Sequence, residues 1–111
     1  MSNVTILGTG TWGIALAKLL CANGHNVCAW SKLERELEEL KNTNMHSKLP
    51  GVKLPSNIKY EADLALALEN AQIVVMAVPS TFVRSVAREA SRYITDQIVV
   101  DVAKGIEKDS C

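Results

Sequence analysis

Short apolar runs alternate along the chain with longer segments in which apolar residues recur every three or four positions. Runs rich in valine and isoleucine are typical of strands buried on both faces, whereas the three-to-four spacing predicts amphipathic helices. The predicted strands are Val4–Leu7, Asn26–Trp30, Ile58–Tyr60, Ile73–Val78 and Ile98–Val102. The predicted helices are one that carries Ile14 to Leu20 and ends at Asn23-Gly24, one over Asp63–Asn70, and one from Ser80 to about Tyr93. A fourth, from Leu33 to about Lys41, is predicted to be amphipathic, with Leu33, Leu37 and Leu40 on one face.

This alternation of strand and helix predicts an α/β fold. Short connections between the elements favour parallel strands joined by right-handed crossovers, with helices on both faces of the sheet. We therefore expect a doubly wound parallel sheet of order 3-2-1-4-5 in three α/β/α layers. One segment departs from the pattern: residues 42–57 contain Pro50, Gly51 and Pro55 and predict a long loop, a type that is usually functional or mobile.

Composition limits the function classes that fit. With 111 residues and 48% apolar residues, the chain predicts one domain, residues 1–111, with a buried core. No apolar run approaches the ~20 residues of a bilayer span, so we expect a cytoplasmic protein without a membrane span. Twelve basic and twelve acidic residues balance, which gives no indication of a nucleic-acid partner. The three cysteines lack metal-ligand spacing and are expected to be reduced thiols, and His25 and His46 are assigned no role.

Three glycines lie between the first predicted strand and the first predicted helix. Gly8, Gly10 and Gly13 match G-x-G-x-x-G. The first allows a tight turn, the second lets a pyrophosphate approach the backbone at the helix N-terminus, and the third lets the helix pack on the strand. The alternative is a glycine-rich turn without a ligand, but the strand-turn-helix context favours a Rossmann-type dinucleotide-binding domain.

The residues at the end of the second strand indicate whether NAD or NADP is the preferred dinucleotide. NAD-specific sites carry an acidic residue there for the ribose 2′-hydroxyl, whereas a 2′-phosphate favours basic or hydroxyl partners. This chain has Ser31 and Lys32, and Glu34, the nearest acid, falls in the next predicted helix. Ser31 and Lys32 are therefore candidate cofactor contacts, and we expect NADP(H) to be preferred, with NAD(H) a tolerated alternative. The competing interpretation makes Lys32 a solvated surface lysine.

Four separated stretches carry a more specific resemblance. They are "GTGTWGIALA" from Gly8, "AWSK" from Ala29, "LPGVKLPSNI" from Leu49, and "AVPS" with "AKGIE" from Ala77 and Ala103. In this order and spacing they resemble the N-terminal coenzyme domain of bacterial NAD(P)-dependent glycerol-3-phosphate dehydrogenase. The resemblance implies an oxidoreductase that reversibly reduces dihydroxyacetone phosphate to sn-glycerol 3-phosphate for phospholipid biosynthesis.

The resemblance also assigns roles to individual residues. Thr11 and Trp12 fall where the family contacts the cofactor beside the phosphate turn, and Lys32 falls at the position for the adenosine ribose. Three residues after the fourth strand match cofactor-contacting positions: Pro79, Ser80 and Phe82. From the residues alone, Pro79 would be a strand terminator and Ser80 a helix cap.

Lys104 matches the lysine of the family's K-G motif, which implies contact with both substrate and nicotinamide. It follows the carboxyl end of the fifth predicted strand, where ligands of open α/β sheets bind. An ammonium there would stabilise a phosphorylated triose and the negative charge that develops on its carbonyl. The alternative is a surface lysine.

The resemblance implies that the principal catalytic lysine belongs to a helical C-terminal substrate domain outside residues 1–111. We therefore expect a fragment with no principal catalytic residue of its own. It would bind the dinucleotide but turn over little substrate, and its exposed apolar surface would favour association, as in a homodimer. Two alternatives stay open: a non-enzymatic dinucleotide-binding or redox-sensing module complete at this length, and a related hydroxyacid or ketopantoate-type reductase.

Overall fold

A five-stranded, all-parallel sheet forms the centre of the chain. The computed structural model describes residues 2–46, 51–78 and 80–102. Its strands are β1 (Asn3–Leu7), β2 (Asn26–Trp30), β3 (Lys59–Glu61), β4 (Ile73–Met76) and β5 (Ile98–Asp101). They lie in the order β3-β2-β1-β4-β5, so the predicted doubly wound α/β topology is confirmed.

Within the described residues, four helices cover the two faces of this sheet. They are α1 (Thr11–Ala22), α2 (Glu34–Thr43), α3 (Leu64–Leu68) and α4 (Ser80–Ala90). Alternate residues of β1 point to opposite faces, so Ile6 joins the core under α1 and α2 while Leu7 joins the core under α3 and α4. Ile6 and Leu7 have no exposed surface, and the apolar character of the strands follows from this burial on both sides.

Turn chemistry sets several helix ends. Asn23 ends α1 and Gly24 follows with φ +90°, a left-handed conformation that favours glycine. The Asp63 side chain accepts hydrogen bonds from the backbone N–H groups of Ala65 and Leu66 and so caps α3. Helix α2 ends at Thr43, two residues beyond the predicted end at Lys41, and Asn44, with φ +53°, forms its C-cap.

The outer strand β5 is only half covered. It pairs with β4 on one side, and its apolar side chains Ile98, Val99 and Val100 are 63%, 48% and 42% exposed. By contrast, Val74 in β4 has no exposed surface. Among the described residues, no helix combines the length and the apolar character that a membrane span requires.

Candidate functional site

The turn between β1 and α1 is packed tightly by two of its glycines. Gly8 has φ +131°, and a Cβ atom there would lie 2.8 Å from the carbonyl oxygen of Ala77, just after β4. A Cβ atom at Gly13 would lie 2.5 Å from the carbonyl oxygen of Gly8. The packing of the fold itself therefore requires glycine at both positions, because a side chain would collide with neighbouring backbone.

Gly10 differs from the other two glycines. It precedes α1 with φ −70° and ψ 178°, which any residue can adopt, and a Cβ atom there would meet nothing within 4 Å. Within the described helix α1, no side chain caps the N-terminus and the first turn carries no acidic residue. The N–H groups and positive dipole end of α1 are thus available to an anion, which a small residue at Gly10 allows to approach closely.

A cavity of about 360 Å³ opens beside this turn. Its lining comes from the carboxyl ends of β1, β2 and β4, where open α/β sheets bind ligands, and from the first turn of α2 and the first two turns of α4. Leu33 and Phe82 form apolar walls, and their side chains are 61% and 58% exposed. An aromatic ring such as adenine would bury this apolar surface.

The exposure of Leu33 corrects one sequence expectation. The helical spacing predicted that Leu33 would share an apolar face with Leu37 and Leu40. Leu37 and Leu40 are buried, but Leu33 precedes α2 in an extended conformation, with φ −92° and ψ 95°. Helical periodicity therefore does not apply to its side chain.

A hydrogen-bond network ties the glycine turn to the end of β2. Thr9 Oγ1 and Ser31 Oγ both donate to Oε2 of Glu36, over 3.2 Å and 3.3 Å. Ser31 Oγ also accepts a bond from the backbone N–H of Leu33, and His46 Nε2 donates to the carbonyl oxygen of Thr9 over 2.9 Å. Thr9, Ser31 and His46 are all buried, so the network holds the two turns in a fixed relation.

Charged groups mark the outer rim of the cavity. Lys32 Nζ lies 3.2 Å from Oε1 of Glu89 on α4, and the two side chains are 55% and 49% exposed. An exposed pair of this kind contributes at most about 1 kcal/mol, so the Lys32 ammonium can exchange this partner for a ligand at little cost.

The predicted site residues fall into three groups. Those that line the cavity are Gly8, Gly10, Ser31, Lys32 and Phe82. Three others do not line the cavity but lie in the first turn of α1: Thr11, Trp12 and Gly13. Gly13 is buried, and Trp12 is 49% exposed. Pro79, the side chain of Ser80 and Lys104 lie outside the described residues, and so do Cys111 and the K-G motif.

Sequence reasoning missed three contributors: Thr9, Glu36 and His46. Thr9 is the variable residue between two motif glycines, and His46 lies in a segment without periodicity. Glu36 falls inside a predicted helix, where acidic residues are usually solvated, but its carboxylate reaches the cavity from the first turn of α2.

A larger cavity, of about 740 Å³, lies away from the glycine turn. Asn3 and Asn26, at the amino ends of β1 and β2, contribute to its lining, so it is at the wrong end of the sheet for the usual ligand site. The Cys28 thiol lies there too, and burial, with a smaller contribution from Glu61, raises its pKa to about 11. The smaller cavity beside the glycines is therefore the candidate site.

Comparison with known proteins identifies relatives of the chain. The family model described as "NAD-dependent glycerol-3-phosphate dehydrogenase N-terminus" matches residues 3–111. A glycerol-3-phosphate dehydrogenase (NAD(P)+) of Lactobacillus delbrueckii subsp. bulgaricus is 48% identical over 111 residues, which cover 99% of this chain and 33% of that protein. The Bacillus subtilis enzyme of that name is 42% identical, over 99% of this chain and 32% of its own length.

Among solved structures, glycerol-3-phosphate dehydrogenase from Coxiella burnetii superimposes with a TM-score of 0.83 at 26% identity, covering 90% of this chain and 31% of that one. The chain thus spans about a third of the length of these relatives. The expected resemblance is confirmed, and the relatives are named as NAD(P)-dependent enzymes, which fits the dehydrogenase interpretation and not a redox-sensing module. The chain belongs to the NAD-dependent glycerol-3-phosphate dehydrogenase family, over the N-terminal region of that family.

Proposed function

We propose that residues 1–111 are the coenzyme-binding domain of a glycerol-3-phosphate dehydrogenase. The observation that carries the proposal is the uncapped start of α1 at Gly10, which opens beside the cavity formed by β1, β2 and α4. The pyrophosphate of a nicotinamide dinucleotide would be held by the backbone N–H groups of that turn. The adenosine would lie in the cavity, between Leu33 and Phe82.

The proposed reaction is the reversible reduction of dihydroxyacetone phosphate to sn-glycerol 3-phosphate, used in glycerophospholipid synthesis in the cytoplasm. The bound coenzyme supplies the hydride. This domain orients the coenzyme, and Lys104 is proposed to contact both the substrate and the nicotinamide. The principal catalytic lysine is proposed to lie in a helical domain beyond residue 111, and association into a homodimer is part of the same proposal.

NADP(H) is the proposed preferred coenzyme because Lys32 lies on the rim of the adenosine cavity. Its ammonium would exchange the exposed Glu89 carboxylate for the 2′-phosphate. Calorimetric titration with NADPH and NADH tests this directly. We expect tighter binding of NADPH and loss of that preference in Lys32→Glu. Lys18→Glu, an equal charge change at an exposed position of α1 that does not line the cavity, should keep it. Equal affinities for both coenzymes before and after Lys32→Glu would contradict the assignment.

The activity itself is tested on the full-length protein that contains this chain, assayed with dihydroxyacetone phosphate and NADPH. We expect oxidation of NADPH that depends on the triose phosphate. Coenzyme binding without turnover would overturn the substrate assignment. Turnover of a ketopantoate-type substrate and not of dihydroxyacetone phosphate would identify the protein as a related hydroxyacid or ketopantoate-type reductase.

A further inference from the structure

Glu36 is a fixed negative charge in the wall of the adenosine cavity. It is the third residue of α2 and is partly buried. The hydroxyl groups of Thr9 and Ser31 hold its carboxylate, and both donors are almost fully buried, at 3% and 7% exposure. The position of the carboxylate is therefore set by the two turns that border the cavity.

The Glu36 carboxylate has unused acceptor capacity. Both hydrogen bonds go to Oε2, and Oε1 accepts none from the residues that the structure describes. An ionised carboxylate accepts about four hydrogen bonds and donates none. A ligand in the cavity that presents hydroxyl groups would therefore find a charged acceptor already in place.

The position of Glu36 along the chain matches that of a ribose-binding acid. In dinucleotide-binding domains an acidic residue about 20 positions beyond the glycine motif accepts a bond from the adenosine 2′-hydroxyl. Glu36 lies 23 residues after Gly13. The end of β2 supplies Ser31 instead of an acid, and Ser31 in turn binds the Glu36 carboxylate. The acid that lines the cavity is thus on the helix and not at the strand end.

We propose that Glu36 is a specificity-determining residue that accepts hydrogen bonds from the adenosine ribose hydroxyls of NAD(H) and opposes the 2′-phosphate of NADP(H). The inference rests on the proposed dinucleotide site. In this arrangement Lys32 attracts the 2′-phosphate, Glu89 competes with it for Lys32, and Glu36 repels it. The preference for NADP(H) is consequently weaker than Lys32 alone would produce, and NAD(H) remains a competent coenzyme.

The size of the repulsion follows from Coulomb's law. A carboxylate and a phosphate dianion about 6 Å apart repel each other enough to change affinity about tenfold, even at the dielectric constant of water. Glu36→Gln removes the charge but keeps an amide oxygen that can accept the bonds from Thr9 and Ser31. The affinity for NADPH should therefore rise about tenfold, while the affinity for NADH should fall about threefold through loss of a charge-assisted bond to the ribose.

Calorimetric titration of the wild type, Glu36→Gln and Glu38→Gln with NADPH and NADH tests the proposal. Glu38 is an exposed residue of the same helix that does not line the cavity, so Glu38→Gln makes the same change in net charge and should leave both affinities within about twofold. An unchanged ratio of NADPH to NADH affinity in Glu36→Gln would overturn the proposal. A shift of the same size in Glu38→Gln would do so too.

A second measurement needs no variant and so does not depend on the folding of Glu36→Gln. Wild-type protein is titrated with NADH and with its analogue lacking the adenosine 2′-hydroxyl. We expect the analogue to bind at least about tenfold more weakly, as for loss of a hydrogen bond to a charged acceptor. Equal affinities would refute the ribose contact. Failure of NADH and NADPH alike to bind the wild type would instead refute the proposed function.

Discussion

At the scale of single residues, the three motif glycines are required for different reasons. Gly8 and Gly13 leave no room for a Cβ atom, since one would lie within 3 Å of neighbouring backbone at either position. A Cβ atom at Gly10 would enter open space at the start of α1. Two of the glycines are therefore explained by packing within the fold, whereas packing does not require glycine at Gly10, where the proposed coenzyme contact would favour a small residue.

This difference predicts opposite effects of alanine at Gly10 and Gly13. Gly10→Ala should leave the free energy of unfolding within about 0.5 kcal/mol of wild type, because its φ of −70° suits alanine. The same change should weaken coenzyme binding about tenfold, because the methyl group obstructs the pyrophosphate. Gly13→Ala should cost about 1–3 kcal/mol of stability through overpacking. Urea denaturation and calorimetric titration measure the two effects, and wild-type coenzyme affinity in Gly10→Ala would show that the phosphate lies elsewhere.

A second prediction at this scale concerns Cys28 and alkaline pH. Burial, and secondarily Glu61, raises the pKa of the folded thiol from 9.0 to about 11, whereas the unfolded thiol ionises near the lower value. The unfolded chain therefore loses this proton first, and the contribution of Cys28 to stability, complete below pH 9, is lost as the pH rises to 11. Cys28→Ala lacks the ionisable group.

The measurement is the free energy of unfolding of wild type and Cys28→Ala at a series of pH values between 8 and 11. The wild type should lose more stability over this range than the variant, and the difference between the two profiles isolates the contribution of Cys28 from that of the other ionisable groups. Parallel pH profiles would show that the folded thiol ionises as readily as the unfolded one.

At the scale of elements, strand and helix order could be predicted because periodicity and turn residues are local. Asn26–Trp30 was predicted with the observed bounds, and Asn23-Gly24 marked the end of α1. The errors concern the C-terminal ends of helices, where tertiary contacts determine the last helical residue. The helix predicted to reach Asn70 ends at Leu68, and that predicted to reach Tyr93 ends at Ala90; each observed end is a buried residue followed by exposed ones.

The site was predictable only where its residues carry a local signature. The glycine turn and Lys32 could be placed from motif spacing, and the structure brings them to one cavity. The link between Thr9, Ser31 and Glu36 joins a turn, a strand end and a helix, and no periodicity encodes the contact between Thr9 and Glu36, which are 27 residues apart. His46 likewise becomes informative only when the fold places it against the carbonyl of Thr9. The arrangement of Glu36 and Glu89 around Lys32 thus depends on tertiary contacts, which the sequence pattern does not predict.

At the scale of the whole molecule, burial falls from the centre of the sheet to its β5 edge. The central strand β1 is paired on both sides, with β2 and β4, and four of its five residues are buried. No residue of β5 is buried. We therefore expect the stability of the chain to depend on β1 and β4 far more than on β5, because stabilisation scales with the apolar area removed from water.

Val74 and Val99 provide a matched test because they are direct neighbours in the register of β4 and β5. Val74 has no exposed surface, so Val74→Ala should cost about 2–3 kcal/mol through lost transfer energy and the cavity left behind. Val99 is 48% exposed, so the same substitution should cost less than about 1 kcal/mol. Urea denaturation at two protein concentrations makes the comparison. If Val99→Ala proved as costly as Val74→Ala, the β5 face would be covered in solution; a cost that grows with protein concentration would identify a second copy of the chain as the cover.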